Sequence, residues 1–380
     1  MKYIDEYRTP GPIKVVIKDI EKMAAELFQK NQRPAQIMEV CGGHTHTLFK
    51  YGLQQLLPDT LEFVHGPGCP VCVLPRNVID KAIVLARSPQ VIFTTYGDAI
   101  RVPGKLGSLQ QARADGADVR VLYSAMDALA IAEQHPTHEI VFFAIGFETT
   151  MPATALVLQQ AKRRNITNFS VLCHHITIVP TLTALLSQGD VAIDGFIGPG
   201  HVSAIIGSRV YEVVATQYHK PLVISGFEPF DMMQSLQMVL LQLLEGRCEI
   251  ENQYRRVVSP GGNANAHAVF DEVFDFEGHI AEWRGLGEIP DSGVALKPAY
   301  ASFSAEQRFN LAIPERSVEE EGACDQVIVG KLKPDQCPAF GTTCTPQQPI
   351  GALMVSTEGA CSAYYRYNRK KEQESVNAGS

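Results

Sequence analysis

Several kinds of segment are missing from this 380-residue chain, and each absence excludes a class of function. No stretch reaches the ~18 uninterrupted apolar residues of a membrane span. The opening MKYIDEYRTP has no apolar core of the kind a signal peptide carries. Together these absences point to a cytosolic, cytoplasmic protein that is not embedded in a membrane. Lys and Arg form no long runs and the formal net charge is -8, which leaves no electrostatic footprint for nucleic acid. Tryptophan occurs once, at Trp283, where it is expected to anchor packing rather than to serve as a ligand platform. What the chain does have is 45% hydrophobic residues against 19% charged, enough to bury a large core and divide into two or three domains. It also has nine cysteines, which in a reducing compartment read as ligands and reactive thiols rather than structural disulfides.

The stretch His65-Gly66-Pro67-Gly68-Cys69-Pro70-Val71-Cys72 follows the apolar run from Leu61 to Val64. Gly66 and Gly68 permit close backbone approach, while Pro67 and Pro70 remove donors and fix φ, so a stiff loop is expected. Two thiols three positions apart in such a turn can close on each other or on a metal. One thiol of a Cys-x-x-Cys pair tends to have a lowered pKa, because the partner sulfur and nearby N–H groups stabilise the thiolate.

Residues 1 to 34 read as a polar start followed by an amphipathic helix, with Ile17, Ile20, Met23, Ala24 and Leu27 at helical spacing. Strand-length apolar runs at 36–40, 61–65, 91–95 and 119–123 then alternate with helix-like segments at 48–57, 76–86, 108–114 and 126–134. The rhythm restarts near Glu139, with strands expected at 140–145, 169–173, 195–197 and 222–225 and helices at 150–162, 181–187, 202–216 and 230–244. This is the βαβ pattern of mostly parallel sheets, whose functional loops sit at the carboxyl ends of strands. Cys41-Gly42-Gly43-His44 precedes Gly66-Pro67-Gly68-Cys69 by 25 positions, and Cys173-His174-His175 precedes Gly198-Pro199-Gly200-His201 by the same 25. The match predicts a degenerate internal duplication, although strand-helix-strand units of similar length would give the same spacing without one. The expected fold is α/β: two similar parallel-sheet, Rossmann-like domains, residues 1–137 and 138–245, facing a cleft. The rhythm is lost after Glu245, which predicts a third, irregular domain over 246–380, with the polar tail from Lys370 to Ser380 disordered.

Cysteine concentrates in that last region. Cys324, Cys337, Cys344 and Cys361 are separated by 12, 6 and 16 residues, gaps that do not fit the paired knuckles of a zinc ribbon. Four such thiols can hold one tetrahedral metal or an iron–sulfur cluster, and the residues alone leave both open.

Taken together, five features resemble the HypD family of hydrogenase maturation factors: Met38-Glu39-Val40-Cys41-Gly42-Gly43-His44-Thr45-His46, the His65 to Cys72 stretch, the run from Tyr96 to Gly104, Gly146-Phe147-Glu148-Thr149-Thr150-Met151-Pro152, and the C-terminal cysteines. The resemblance runs from Asp5-Glu6-Tyr7-Arg8 to about Tyr367. It implies an assembly platform that works with the small chaperone HypC. There an iron receives two cyanides and one carbon monoxide before delivery to the large subunit of nickel–iron hydrogenase. The cyanide is implied to come from a thiocyanate on the C-terminal Cys of HypE, made with HypF. Carried onto this chain, Cys41 would be an iron ligand shared with the N-terminal Cys of HypC. Cys69 and Cys72 would be a redox-active pair, and Cys324, Cys337, Cys344 and Cys361 the ligands of a 4Fe-4S cluster.

The chemistry of these residue types agrees with that implication. Cyanide and carbon monoxide favour low-spin ferrous iron, for which a soft thiolate is a suitable anchor. Reductive release of cyanide from a thiocyanate takes two electrons, which a dithiol supplies and a cluster replenishes singly. His44, three residues past Cys41, is a candidate to orient or protonate an iron–cyanide unit, whereas His46 is expected to pack. Glu358, three residues before Cys361, is the better proton-relay candidate, and Glu148 is suited to capping as much as to proton transfer. Asp98 and Arg101 are expected to pair with each other. Cys173 and Cys248 read as buried small hydrophobes, and His174, His175 and His201 as neutral, hydrogen-bonded cleft residues rather than a metal triad. Met232, Met233 and Met238 read as core filling, and an apolar docking face near Phe49 to Leu57 cannot be told from a core face. Two rival classes stay open: a thiol–disulfide oxidoreductase with a structural zinc on the four cysteines, and a non-redox binding scaffold.

Overall fold

Helices α1 (Asp5–Arg8) and α2 (Pro10–Asn31) precede the first strand in the computed structural model, which describes residues 5–187, 192–311 and 323–367. Pro10 opens α2 where a missing N–H costs nothing. The expected amphipathic stripe is the buried one: Ile13, Val16, Ile17, Ile20, Ala24 and Leu27.

The strand–helix rhythm then follows the sequence, except that the helix expected at 48–57 begins earlier, at Gly42, and ends at Lys50 before a short 3-10 turn at Leu53–Leu56. In order come β1 (Ala35–Glu39), α3 (Gly42–Lys50), β2 (Leu61–His65), α4 (Arg76–Ala86), β3 (Val91–Thr95), α5 (Leu109–Ala114), β4 (Val119–Val121), α6 (Asp127–Gln134) and β5 (Glu139–Gly146). Next are α7 (Met151–Arg163), β6 (Phe169–His175), α8 (Ile178–Ser187), β7 (Gly195–Gly198), α9 (Gly200–Ile206), α10 (Glu212–Thr216), β8 (Leu222–Ile224), α11 (Pro229–Glu245) and β9 (Ile250–Asn252). Helix α12 (Ala264–Val273), short strands β10 (Phe274–Asp275), β11 (Ala281–Trp283), β12 (Gly287–Ile289) and β13 (Ala295–Leu296), then α13 (Ala305–Arg308) and α14 (Cys324–Ile328), complete the elements.

All nine longer-range strands join two wholly parallel sheets, ordered β2-β1-β7-β8-β9 and β4-β3-β5-β6. Helices cover both faces, so the strands are buried on both sides and read as continuous apolar runs. Ile37, Met38, Phe142, Phe143 and Phe196, for example, are fully buried, each contributing roughly 1.5–3 kcal/mol of transfer free energy.

The two sheets bear out the α/β expectation, but their strands are not divided at the expected positions. Val91 pairs with Glu139 across β3 and β5, so a boundary at 137/138 would cut a single sheet. Leu222 pairs with Ile250 across β8 and β9, so the same holds at 245/246. The second sheet is in fact inserted between β2 and β7 of the first. The matched 25-residue spacings also differ in topology: β1 and β2 are neighbours in one sheet, whereas β6 and β7 lie in different sheets. Periodicity identifies a strand; which strand it pairs with depends on contacts distant in sequence.

This wiring creates two topological switch points, where strand order reverses and crevices open at carboxyl ends. One lies between β1 and β7, the other between β3 and β5. A single apolar cluster runs from the first sheet through Cys69, Cys72 and Val73 to Leu353, Val355 and Cys361, so the C-terminal segment packs into the body of the fold. Trp283 anchors its surroundings as expected, buried against Phe147 with its indole N–H donating to Ser292 Oγ (2.9 Å). Among the described residues no helix is long and apolar enough to cross a membrane. The tail from Lys370 to Ser380 lies outside them.

Candidate functional site

Cys41 leaves β1 at the first switch point and stands at the N-cap position of α3, its side chain making no capping bond. Across the reversal, α9 begins after β7 and brings His201, whose Nδ1 is 3.9 Å from Cys41 Sγ. The thiol is 5% exposed. Burial, with the negative charges of Glu358 and Glu39, pushes it up to about 12, against the opposing pull of backbone N–H groups at Gly43 and His201. It therefore stays protonated at neutral pH.

His44 lies one turn into α3 and is fully buried. Its Nε2 donates to the Ser225 carbonyl (3.2 Å), its ring packs on Phe227, and Nδ1 has no hydrogen-bond partner among the described residues. Burial holds it down to about 4, so the ring is neutral. Phe227 also stacks on His201 with centroids 3.8 Å apart and leaves no room for a side chain at Gly43, where a Cβ would lie 2.8 Å from its ring.

The stiff loop expected after β2 packs directly on Cys41. Gly66 N–H donates to the Glu39 carbonyl (2.8 Å) and Gly42 N–H to the Gly68 carbonyl (3.0 Å). A Cβ on Gly68 would overlap the backbone of Val40 and Cys41, so only glycine allows the approach. Cys69 and Cys72 are joined as a disulfide with Cα atoms 5.2 Å apart, both buried.

The C-terminal segment closes the same crevice. Glu358 lies over Gly42, where a Cβ would meet its Oε2 at 2.7 Å, and the next residue, Gly359, borders Cys72 Sγ at 3.1 Å from its own Cβ position. Burial, then the charges of Asp98 and Glu39, raise the Glu358 carboxyl above its usual range. Cys324, Cys337, Cys344 and Cys361 line one small pocket, walled by Val327, Phe340, Ile350, Leu353 and Met354. Burial, then the charges of the other three sulfurs, raise the Cys361 thiol well above its ordinary value. Among the described residues no three His, Cys, Asp or Glu side chains converge closely enough to hold a single metal ion.

Asp98 and Arg101 do not form the expected pair. Asp98 accepts from Ser356 Oγ (2.8 Å), and Arg101 donates to the Val355 carbonyl (2.9 Å). Both hold the segment that carries Glu358, because the second switch point faces it. Glu148 is at that switch point too. It caps α8, with Oε1 accepting from Ile178 N–H (3.1 Å), and burial pushes its carboxyl up to about 7.

The three cleft histidines separate. His175 is satisfied by Thr154 Oγ1 and the Gly146 carbonyl, His174 lines a different cavity beside Cys173 and Lys81, and only His201 reaches Cys41. Cys173 and Cys248 are half-buried rather than core residues, the latter donating to the His219 carbonyl. His46 packs edge-on against Tyr367, and Met232 and Met233 fill the core. Of the apolar stretch after Phe49, Leu53 is buried and Leu56 exposed.

The site also contains groups that sequence reasoning does not reach. Glu39 is 1% exposed beneath Cys41, and His65 bonds to it at 2.7 Å. A carboxylate directly after the apolar pair Ile37-Met38 is the one signal for Glu39; nothing local marks Phe227.

Comparison with known proteins agrees over the whole chain. A family model described as "Hydrogenase formation hypA family", with the short name HypD, matches residues 13–368. The hydrogenase maturation factor HypD of Escherichia coli (strain K12) is 52% identical over 374 residues, 98% of this chain and 100% of that protein. Its namesake in Rhodobacter capsulatus is 49% identical over 378 residues, with 98% and 100% covered. That of Azotobacter vinelandii is 47% identical over 381 residues, with 98% of each covered. Matched from near one end to near the other by the family model and by full-length relatives, the chain belongs to the HypD family of hydrogenase maturation factors.

Proposed function

We propose that this chain is the scaffold on which an iron ion receives cyanide and carbon monoxide ligands for nickel–iron hydrogenase, in complex with HypC. Cys41 holds the iron as cargo, and the Cys69/Cys72 pair supplies two electrons for cyanide transfer. The observation that carries this reading is contiguity. Gly68, one residue before Cys69, packs on the Cys41 backbone, and Gly359 borders Cys72 Sγ beside Glu358, which lies over Gly42, so the segments that carry the three cysteines pack on one another.

The four C-terminal sulfurs fit a resident iron–sulfur group by their chemistry: they are soft donors lining one apolar pocket. A 4Fe-4S cluster held by Cys324, Cys337, Cys344 and Cys361 would supply single electrons beside the disulfide.

The chain's own residues account for the rest. One thiolate of the reduced pair attacks the sulfur of a cysteine thiocyanate presented by HypE, the product of HypF-dependent chemistry. An S–S bond forms, the S–CN bond breaks, and cyanide leaves for the iron at Cys41. The second thiol then closes the Cys69–Cys72 disulfide and releases the partner's thiol. Two electrons pass from the pair to the thiocyanate, the second thiol's proton leaves on the partner's thiol, and the one proton released is that of the attacking thiol as it becomes the thiolate. Glu358, lying over Gly42, is the group that takes it up.

The test is transfer from HypE carrying isotopically labelled thiocyanate. Reduced protein is expected to accept label with two thiols lost per cyanide, and the disulfide form to accept none. Transfer to the disulfide form without thiol loss would overturn the assignment.

A further inference from the structure

Glu39 is a buried carboxylate that follows the fully buried Ile37 and Met38 at the end of β1, and burying a charge is costly unless donors surround it. It has three. The Cys41 N–H donates to Oε2 (3.0 Å), and both Thr45 Oγ1 and His65 Nδ1 donate to Oε1, the latter at 2.7 Å. With Nδ1–H committed to Glu39, the far nitrogen of His65 is left to accept from the Gln54 amide (2.9 Å). The His65 ring is also packed, between Phe49 and Tyr364, the latter three residues beyond Cys361.

These bonds join segments that are far apart in sequence. Cys41 stands before α3 and Thr45 lies in its first turn, whereas His65 is the last residue of β2 and leads directly into the disulfide loop. The Glu39 main chain repeats the link, its carbonyl accepting from Gly66 N–H. Resting on the function proposed above, we propose that the Glu39–His65 pair is the positioning element of the centre, fixing the Cys41 thiol against the Cys69–Cys72 loop.

A carboxylate is required because it is acceptor-only. Glu39→Gln keeps the volume but turns an NH2 group toward one of three donors, so one bond must break. The test is amide hydrogen exchange of the full chain, read by mass spectrometry on peptides covering Cys41 and Gly68. Glu39→Gln is expected to speed exchange in both peptides by about tenfold or more, as loss of a bond to a charged group implies. Exchange in α2 should stay unchanged, which separates local release from general unfolding. His65→Gln should do the same, and the double variant should fall clearly short of the sum of the two, since both act on one hydrogen-bonded network. In labelled-cyanide transfer, Glu39→Gln should slow the rate while iron and sulfide content stay at the wild-type level. Unchanged exchange in Glu39→Gln, or strictly additive effects in the double variant, would overturn the proposal. Because exchange is measured without iron or partners, that result is independent of whether cyanide transfer occurs.

Discussion

The Glu358 carboxylate occupies the space that a side chain on Gly42 would need, one residue from the Cys41 thiol. A methyl there would meet Glu358 Cβ at 2.5 Å and Oε2 at 2.7 Å. Gly42→Ala must therefore displace Glu358 or the turn. It is expected to cost about 1–3 kcal/mol in urea unfolding, the usual range for overpacking, and to slow cyanide transfer. Glu358→Gln keeps the packing, so its unfolding midpoint should stay near wild type while transfer still slows.

Thiol counting tests the pair. The structure has seven free cysteines and one disulfide. Dithionite treatment under denaturing readout should reveal two further reactive sulfurs, and Cys69→Ser should abolish the gain. An identical count before and after reduction would remove the two-electron step.

Glu148 gives a pH signature. Its carboxyl is raised to about 7 by burial, so the folded state binds the proton more tightly than the unfolded state does. The contribution is fully present below the unfolded value and is lost as pH rises through about 7. Glu148→Gln keeps an acceptor for Ile178 N–H and cannot ionise. Between pH 5 and 8 the wild type should lose roughly 2–3 kcal/mol relative to this variant. Parallel urea midpoints across that window would contradict the assignment.

Substituting Ser for any one of Cys324, Cys337, Cys344 or Cys361 tests the cavity. Wild-type protein purified without oxygen should be brown, with acid-labile sulfide and broad visible absorption, and each variant should lose colour. Colourless wild-type protein with stoichiometric zinc would favour the oxidoreductase alternative.

The elements were legible in the sequence because parallel strands buried on both faces leave uninterrupted apolar runs. Arg76 to Ala86 and Leu61 to His65, for example, coincide with α4 and β2. Sheet membership was not legible, because the insertion of β3 to β6 between β2 and β7 depends on pairing across more than a hundred residues. The cysteines announced themselves by type and by glycine-rich context. Glu39, Phe227 and the bonds of Asp98 and Arg101 to the C-terminal segment did not, since each acts through a partner distant along the chain.

The most direct measurement is the infrared spectrum of protein isolated with HypC. Wild type should show cyanide and carbon monoxide stretching bands from bound iron, Cys41→Ser should show none, and Cys69→Ser should retain iron without cyanide bands. Full wild-type bands in Cys41→Ser would contradict the account at its centre.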